Sequence, residues 1–194
     1  ITCRDWSSDV CSSDLARLRR EGHEIWFTTD GQMCTDTPYC AVERLLPHYC
    51  FHHGAAAYEF WGVDWLTYDP HEFGWHRYIN QSDRPGNRYY VRYPNGDGYL
   101  AYPGQAVGVE GPVSTIRLEQ ARDGAEDYEY LRLLKQVAEG GGSRAAAARA
   151  ALAEAVALVP IPNAGGRYAS RILPDPDAVP ALRRKIAEAI GAPD

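Results

Sequence analysis

The hydrophobic pattern of this 194-residue chain changes period several times, and each change marks an element. Residues 24–30, EIWFTTD, form a continuous aromatic and β-branched run with a polar tip, the pattern of a buried parallel strand. From about Tyr39 to His53 the apolar positions Val42, Leu45, Leu46 and Tyr49 follow the helical period, and Gly54 stands where a C-terminal cap belongs. Pro47 inside that stretch predicts a kink or a break. Residues 56–66, AAYEFWGVDWL, are again continuous and strand-like, so strand, helix and strand follow one another as a βαβ unit.

From Thr67 to Tyr93 the pattern dissolves into an aromatic stretch with a turn signal at Arg84-Pro85-Gly86-Asn87, which predicts a long packed loop. Residues 94–104, PNGDGYLAYPG, combine a Gly-Asp-Gly turn with a short apolar strand closed by Pro103-Gly104. A helix is then predicted from about Val113 to Glu139, with Leu118, Ala121, Ala125, Tyr128, Leu131 and Leu134 on one apolar stripe. Gly124 in its middle costs ~1 kcal/mol against alanine, which predicts close approach to a neighbouring strand. Gly140 to Gly142 end the helix. An alanine-rich helix over residues 143–158 and an amphipathic one over 176–190 read as packing and capping.

Composition changes this picture at the N-terminus. Residues 5–15, DWSSDVCSSDL, coincide with one reading frame of a common short-read sequencing adaptor, so residues 1–15 are expected to be an artefact and native sequence to begin near Ala16. Setting aside Arg4, Asp5, Asp9 and Asp14 takes the basic and acidic counts from 20 and 26 to 19 and 23, a formal charge of −4. That balance argues against a nucleic-acid partner, which calls for a basic face. Cys34, Cys40 and Cys50 remain, an odd and irregular set that is no disulfide framework, although a Cys34–Cys40 bridge stays open. No run approaches the ~18 apolar residues of a membrane span, so no membrane partner is expected.

Three segments together carry a resemblance: FWGVDW at 60–65, NGDGYLAYPG at 95–104 and STIRLEQARDGAEDYEYL at 114–131. They resemble the C-terminal part of the catalytic domain of glycoside hydrolase family 123, also catalogued as domain-of-unknown-function family 4091. The resemblance implies an α/β fold, the C-terminal portion of a (β/α)8 TIM-type barrel over 16–139, followed by extra C-terminal helices over 140–194. It implies a carbohydrate substrate with β-linked N-acetylhexosaminides, typically N-acetylgalactosaminides, and no cofactor. The implied mechanism is substrate-assisted: the sugar's acetamido oxygen attacks the anomeric carbon, a Glu is general acid, and an adjacent Asp orients the acetamide, an exception to the usual two-carboxylate schemes. That Asp-Glu pair belongs to a mid-barrel strand and maps onto no residue here, neither Glu126-Asp127 in the closing helix nor Glu59 early in its strand. The missing N-terminal part of the same polypeptide is therefore an expected partner, and the chain alone is expected to be inactive.

In such barrels the site gathers at the C-terminal strand ends. Sequence position selects Thr29, Asp30, Trp61, Asp64 and Trp65. Trp61 and Trp65 share a strand face as a sugar platform, while Asp64 points the other way toward hydroxyls; the bland alternative has a tryptophan filling the barrel. Asp97 is either a turn former or a ligand contact. Arg117 and Arg122 either reach a rim carboxylate or pair between helix and loop. His48 and His52, four apart near Cys50 and His53, could share a helix face as zinc ligands do, yet no third ligand is evident, so no metal is expected. His71 and His76 in the aromatic stretch are further candidates to border a substrate. The competing reading is a non-catalytic carbohydrate-binding or structural barrel domain.

Overall fold

Ile25 and Phe27 are buried against a helix while Trp26 between them is 47% exposed, so one short strand already separates a covered sheet face from an open one. The computed structural model describes residues 2–3, 12–28, 41–59, 62–63, 71, 77–80, 88–91, 99–159, 175 and 177–191. Strand β1 (Thr2–Cys3), helix α1 (Ser12–Arg20), strand β2 (Trp26–Thr28), helix α2 (Ala41–His53) and strand β3 (Ala57–Glu59) come first. They build a parallel sheet in the order β1-β2-β3, with Trp26 opposite Ala57 and Thr28 opposite Glu59. The strand–helix–strand pattern of the sequence is thus present, and Gly54 takes the left-handed φ of +61° that ends α2. Leu15, Ile25, Phe27, Cys50 and Ala55 bury one another between sheet and helix.

α2 runs through Pro47 without interruption, so of the predicted kink or break the break does not occur. Proline forfeits one backbone hydrogen bond there, and the buried ring is instead used for contact with the next long helix. The stretch read as a loop contains a hairpin: β4 (Arg77–Asn80) pairs antiparallel with β5 (Arg88–Val91), and the Pro85-Gly86 signal falls between them. A second hairpin joins β6 (Ala101–Pro103) to β7 (Pro112–Ser114). Helix α3 (Ile116–Glu139) therefore starts three residues later than predicted, because Val113 is spent pairing with Tyr102. Thr115 caps it, its hydroxyl oxygen accepting from the Leu118 amide.

Helices α4 (Ala145–Ala157) and α5 (Ala178–Ile190) pack on the C-terminal half of α3. Leu131, Leu134 and Ala138 meet Ala148, Ala151 and Ala155 of α4 and Leu182, Ile186 and Ala189 of α5, with Phe51 of α2 against them. Each large aliphatic side chain buried here contributes about 1.5–3 kcal/mol. A smaller cluster of Leu45, Val159 and Val179 ties α2 to the chain around α4 and α5.

In its N-terminal half α3 departs from the predicted stripe. The buried positions are Arg117, Gly124 and Asp127, whereas Leu118 is 38% exposed. The face is helical in period but not apolar in composition, since α2 approaches it through backbone and charge.

Candidate functional site

The residues selected as sugar contacts, Asp30, Trp61, Asp64, Trp65 and Asp97, lie outside the described residues, as do Thr29, His76, Cys34 and Cys40. The structure describes part of each resemblance segment: residues 62–63 of the first, 99–104 of the second and all of the third, 114–131. Val63, from FWGVDW, accepts hydrogen bonds at its carbonyl from the amides of Leu100 (2.9 Å) and Ala101 (3.1 Å), from GDGYLAYPG. Leu100 is held from the other side as well. Its carbonyl accepts from the Thr115 hydroxyl at 2.8 Å and the Thr115 amide at 3.3 Å, so the cap of α3 and Val63 grip one residue.

Next to it, Tyr99 is fully buried. Arg117, 4% exposed, donates from Nε to the Tyr99 carbonyl at 2.7 Å and from Nη2 to the Tyr102 hydroxyl at 2.9 Å. Its guanidinium carbon stands 5.4 Å from the centroid of the Tyr102 ring, and Tyr99 meets Tyr102 edge to face at 5.5 Å. His71 adds a third contact to this hairpin, donating from Nε2 to the Pro103 carbonyl at 3.0 Å with its ring 5.3 Å from Tyr102. Arg117 thus reaches backbone and phenol of the preceding strand. Arg122 stays on its own helix, on the exposed side, paired with Glu119, Asp123 and Glu126.

The rest of the α3 motif serves to hold helices together. Asp127, its side chain 3% exposed, receives Arg44 Nε at 2.6 Å, Arg183 Nη1 at 3.1 Å and His48 Nε2 at 3.3 Å. Burial pushes its carboxyl up, and the hydrogen bonds from His48 and Arg44 with the charge of Arg44 more than offset this, leaving its pKa below the usual range. Arg44 also donates to Asp123 at 3.0 Å; Arg183 donates to Glu126 at 2.7 Å and lies 4.9 Å over the Tyr130 ring. Gly124 lets α2 come close: a Cβ there would meet the Arg44 carbonyl at 2.7 Å and Pro47 Cγ at 3.1 Å. The close neighbour is a helix, not the strand predicted. Neither Arg44 nor Arg183 stood out in the sequence, because nothing local to an arginine announces a carboxylate eighty or fifty residues away.

The histidine cluster separates by function. His48 turns to Asp127; His53 is buried against Tyr49 and Phe27; His52 is exposed. Desolvation, with the neighbouring His52 adding to it, lowers the His53 pKa to about 4, and burial pushes the Cys50 thiol up to about 12, which disfavours a thiolate ligand. Nδ1 of His48 and Nε2 of His53 are buried without a hydrogen-bond partner. Among the described residues no group of three His, Cys, Asp or Glu side chains is arranged to hold a metal ion. Nor, among them, is any helix long and apolar enough to cross a membrane.

Residues 31–134, more than half of the chain, match a family model for a sugar-cleaving catalytic domain. That model is described as glycoside hydrolase 123, catalytic domain, and the chain belongs to this family. No curated protein matches the chain.

Proposed function

We propose that these residues are the C-terminal part of a (β/α)8 glycoside hydrolase that cleaves β-linked N-acetylhexosaminides, N-acetylgalactosaminides in particular, with help from the substrate's own acetamide. Trp61, Asp64 and Trp65, with Asp30 and Asp97, are the sugar contacts in this reading. It is supported by the hydrogen bonds from Leu100 and Ala101 to Val63, which join the tryptophan-rich segment to the Gly-Asp-Gly segment. Parallel pairing of β2 with β3 across α2 agrees with barrel topology.

The general acid and its adjacent aspartate come from a segment outside the 194 residues. The sequence contains no Asp followed directly by Glu. The reversed pair, Glu126-Asp127, is committed to Arg44, Arg183 and His48, where a carboxylate held ionised makes a poor proton donor. The test is hydrolysis of an aryl N-acetyl-β-galactosaminide by the chain as given and by the same chain joined to upstream sequence bearing an Asp-Glu pair. Turnover is expected only from the joined form. Turnover by the 194 residues alone would overturn the placement of the acid, and binding without turnover by both would favour a carbohydrate-binding domain.

A further inference from the structure

A buried cation on α3 holds the segment from Tyr99 to Tyr102. Arg117 is 4% exposed, and two of its nitrogens go to the carbonyl of Tyr99 and the hydroxyl of Tyr102. Hydrogen bonds from a charged donor are the stronger kind, and in a buried setting losing one leaves an acceptor unsatisfied. Between these two anchor points lie Leu100 and Ala101, whose amides both donate to Val63. Val63 stands two residues from Trp61 and two from Trp65 in the sequence.

We propose that Arg117 is a positioning residue for carbohydrate binding: it pins the Tyr99–Tyr102 segment from α3, and that segment fixes the backbone of Val63 in the tryptophan-rich stretch. The inference rests on the functional reading above for its ligand, but not for its mechanics. Thr115 alone does not make Arg117 redundant. It holds the Leu100 carbonyl, while Arg117 holds Tyr99 before it and Tyr102 two residues after it. His71 bonds the Pro103 carbonyl and reinforces the far end of the same strand.

The experiment compares wild type with Arg117→Met, Arg117→Lys and Tyr102→Phe, following amide hydrogen exchange at Leu100 and Ala101 and tryptophan emission during titration with N-acetylgalactosamine. In Arg117→Met the two amides are expected to exchange about tenfold faster, with sugar affinity weaker by a similar factor, while the amides of Leu131 and Leu134 keep their protection as proof of an intact helical core. Arg117→Lys retains charge and one donor and should recover to within about threefold of wild type. Tyr102→Phe removes one acceptor and should shift both readouts in the same direction by about threefold. Unchanged exchange in both Arg117→Met and Tyr102→Phe would overturn the inference, as would faster exchange with unchanged sugar affinity. If wild type and variants show the expected exchange pattern while none binds the sugar, the hold of Arg117 on the strand stands and the functional reading falls instead.

Discussion

Arg44 Nε lies 2.6 Å from Asp127 Oδ2, joining α2 to α3 across 83 positions of sequence. The carboxylate is divided between helices: Oδ2 takes Arg44 and His48, and Oδ1 takes Arg183 of α5. Replacing Asp127 by alanine leaves two guanidinium groups facing each other in a largely buried space. The expected loss is about 3–5 kcal/mol in urea unfolding. The exposed ion-pair residue Arg122 serves as control, and its alanine variant should unfold at the wild-type midpoint.

Gly124→Ala pits propensity against packing. Alanine gains ~1 kcal/mol as a helix former, yet its Cβ would stand 2.7 Å from the Arg44 carbonyl, a backbone atom with little freedom to move. A net destabilisation of about 1–3 kcal/mol is expected. A variant as stable as wild type would show that α2 and α3 can separate freely.

The buried imidazole of His53 makes stability depend on pH. Its folded pKa of about 4 lies below the 6.5 of an ordinary histidine, so between those values the unfolded chain binds the extra proton and the folded one does not. Stability contributed by the neutral ring is complete above about pH 6.5 and falls as pH drops toward 4, by about 2–3 kcal/mol in all. Asp127, with its lowered pKa, adds acid sensitivity only below the ordinary carboxylate range. His53→Phe should flatten the profile between pH 6.5 and 4.5 in denaturant titrations, and an unaltered slope would assign the effect to another group.

Removing α4 and α5 strips the cover from Leu131, Leu134 and Ala138 and takes away Arg183 as well. A chain ending at Glu139 is expected to lose its cooperative thermal transition in circular dichroism, although the family match ends earlier, at residue 134. Retention of a sharp transition would mean that the sheet and α2 suffice to stabilise α3.

How far the sequence could be read follows from what each element buries. The unit β2-α2-β3 was legible because its apolar runs are continuous and Gly54 closes the helix, and the C-terminal half of α3 because Leu131 and Leu134 keep the period. The N-terminal half misled, since its inward face is an arginine, a glycine and an aspartate, which hydrophobic periodicity cannot register. Pro112-Val113-Ser114 resembled a helix start, yet cross-strand pairing with residues 101–103 claimed it. The three resemblance segments were correctly read as those of the family, and all of them lie within the matched residues 31–134, whereas the sugar contacts chosen from the sequence lie outside the described residues. The long-range partners of Arg44, Arg117 and Arg183 were not legible, because ion pairs and backbone contacts of this kind are decided by tertiary approach alone.

The Arg44–Asp127 clasp also has a place in time. Helices α3, α4 and α5 are neighbours along the chain and can find one another through short loops, whereas α2 must return across some eighty residues before Arg44 meets its carboxylate. We expect the three C-terminal helices to assemble first and the clasp to shut afterwards, a sequence that pulse-labelled exchange during refolding would reveal as early protection at Leu134 and late protection at Cys50. Until it shuts, Asp127 and its arginines are charges on a bare helical surface, so the same group that secures the finished fold would keep the unfinished one soluble.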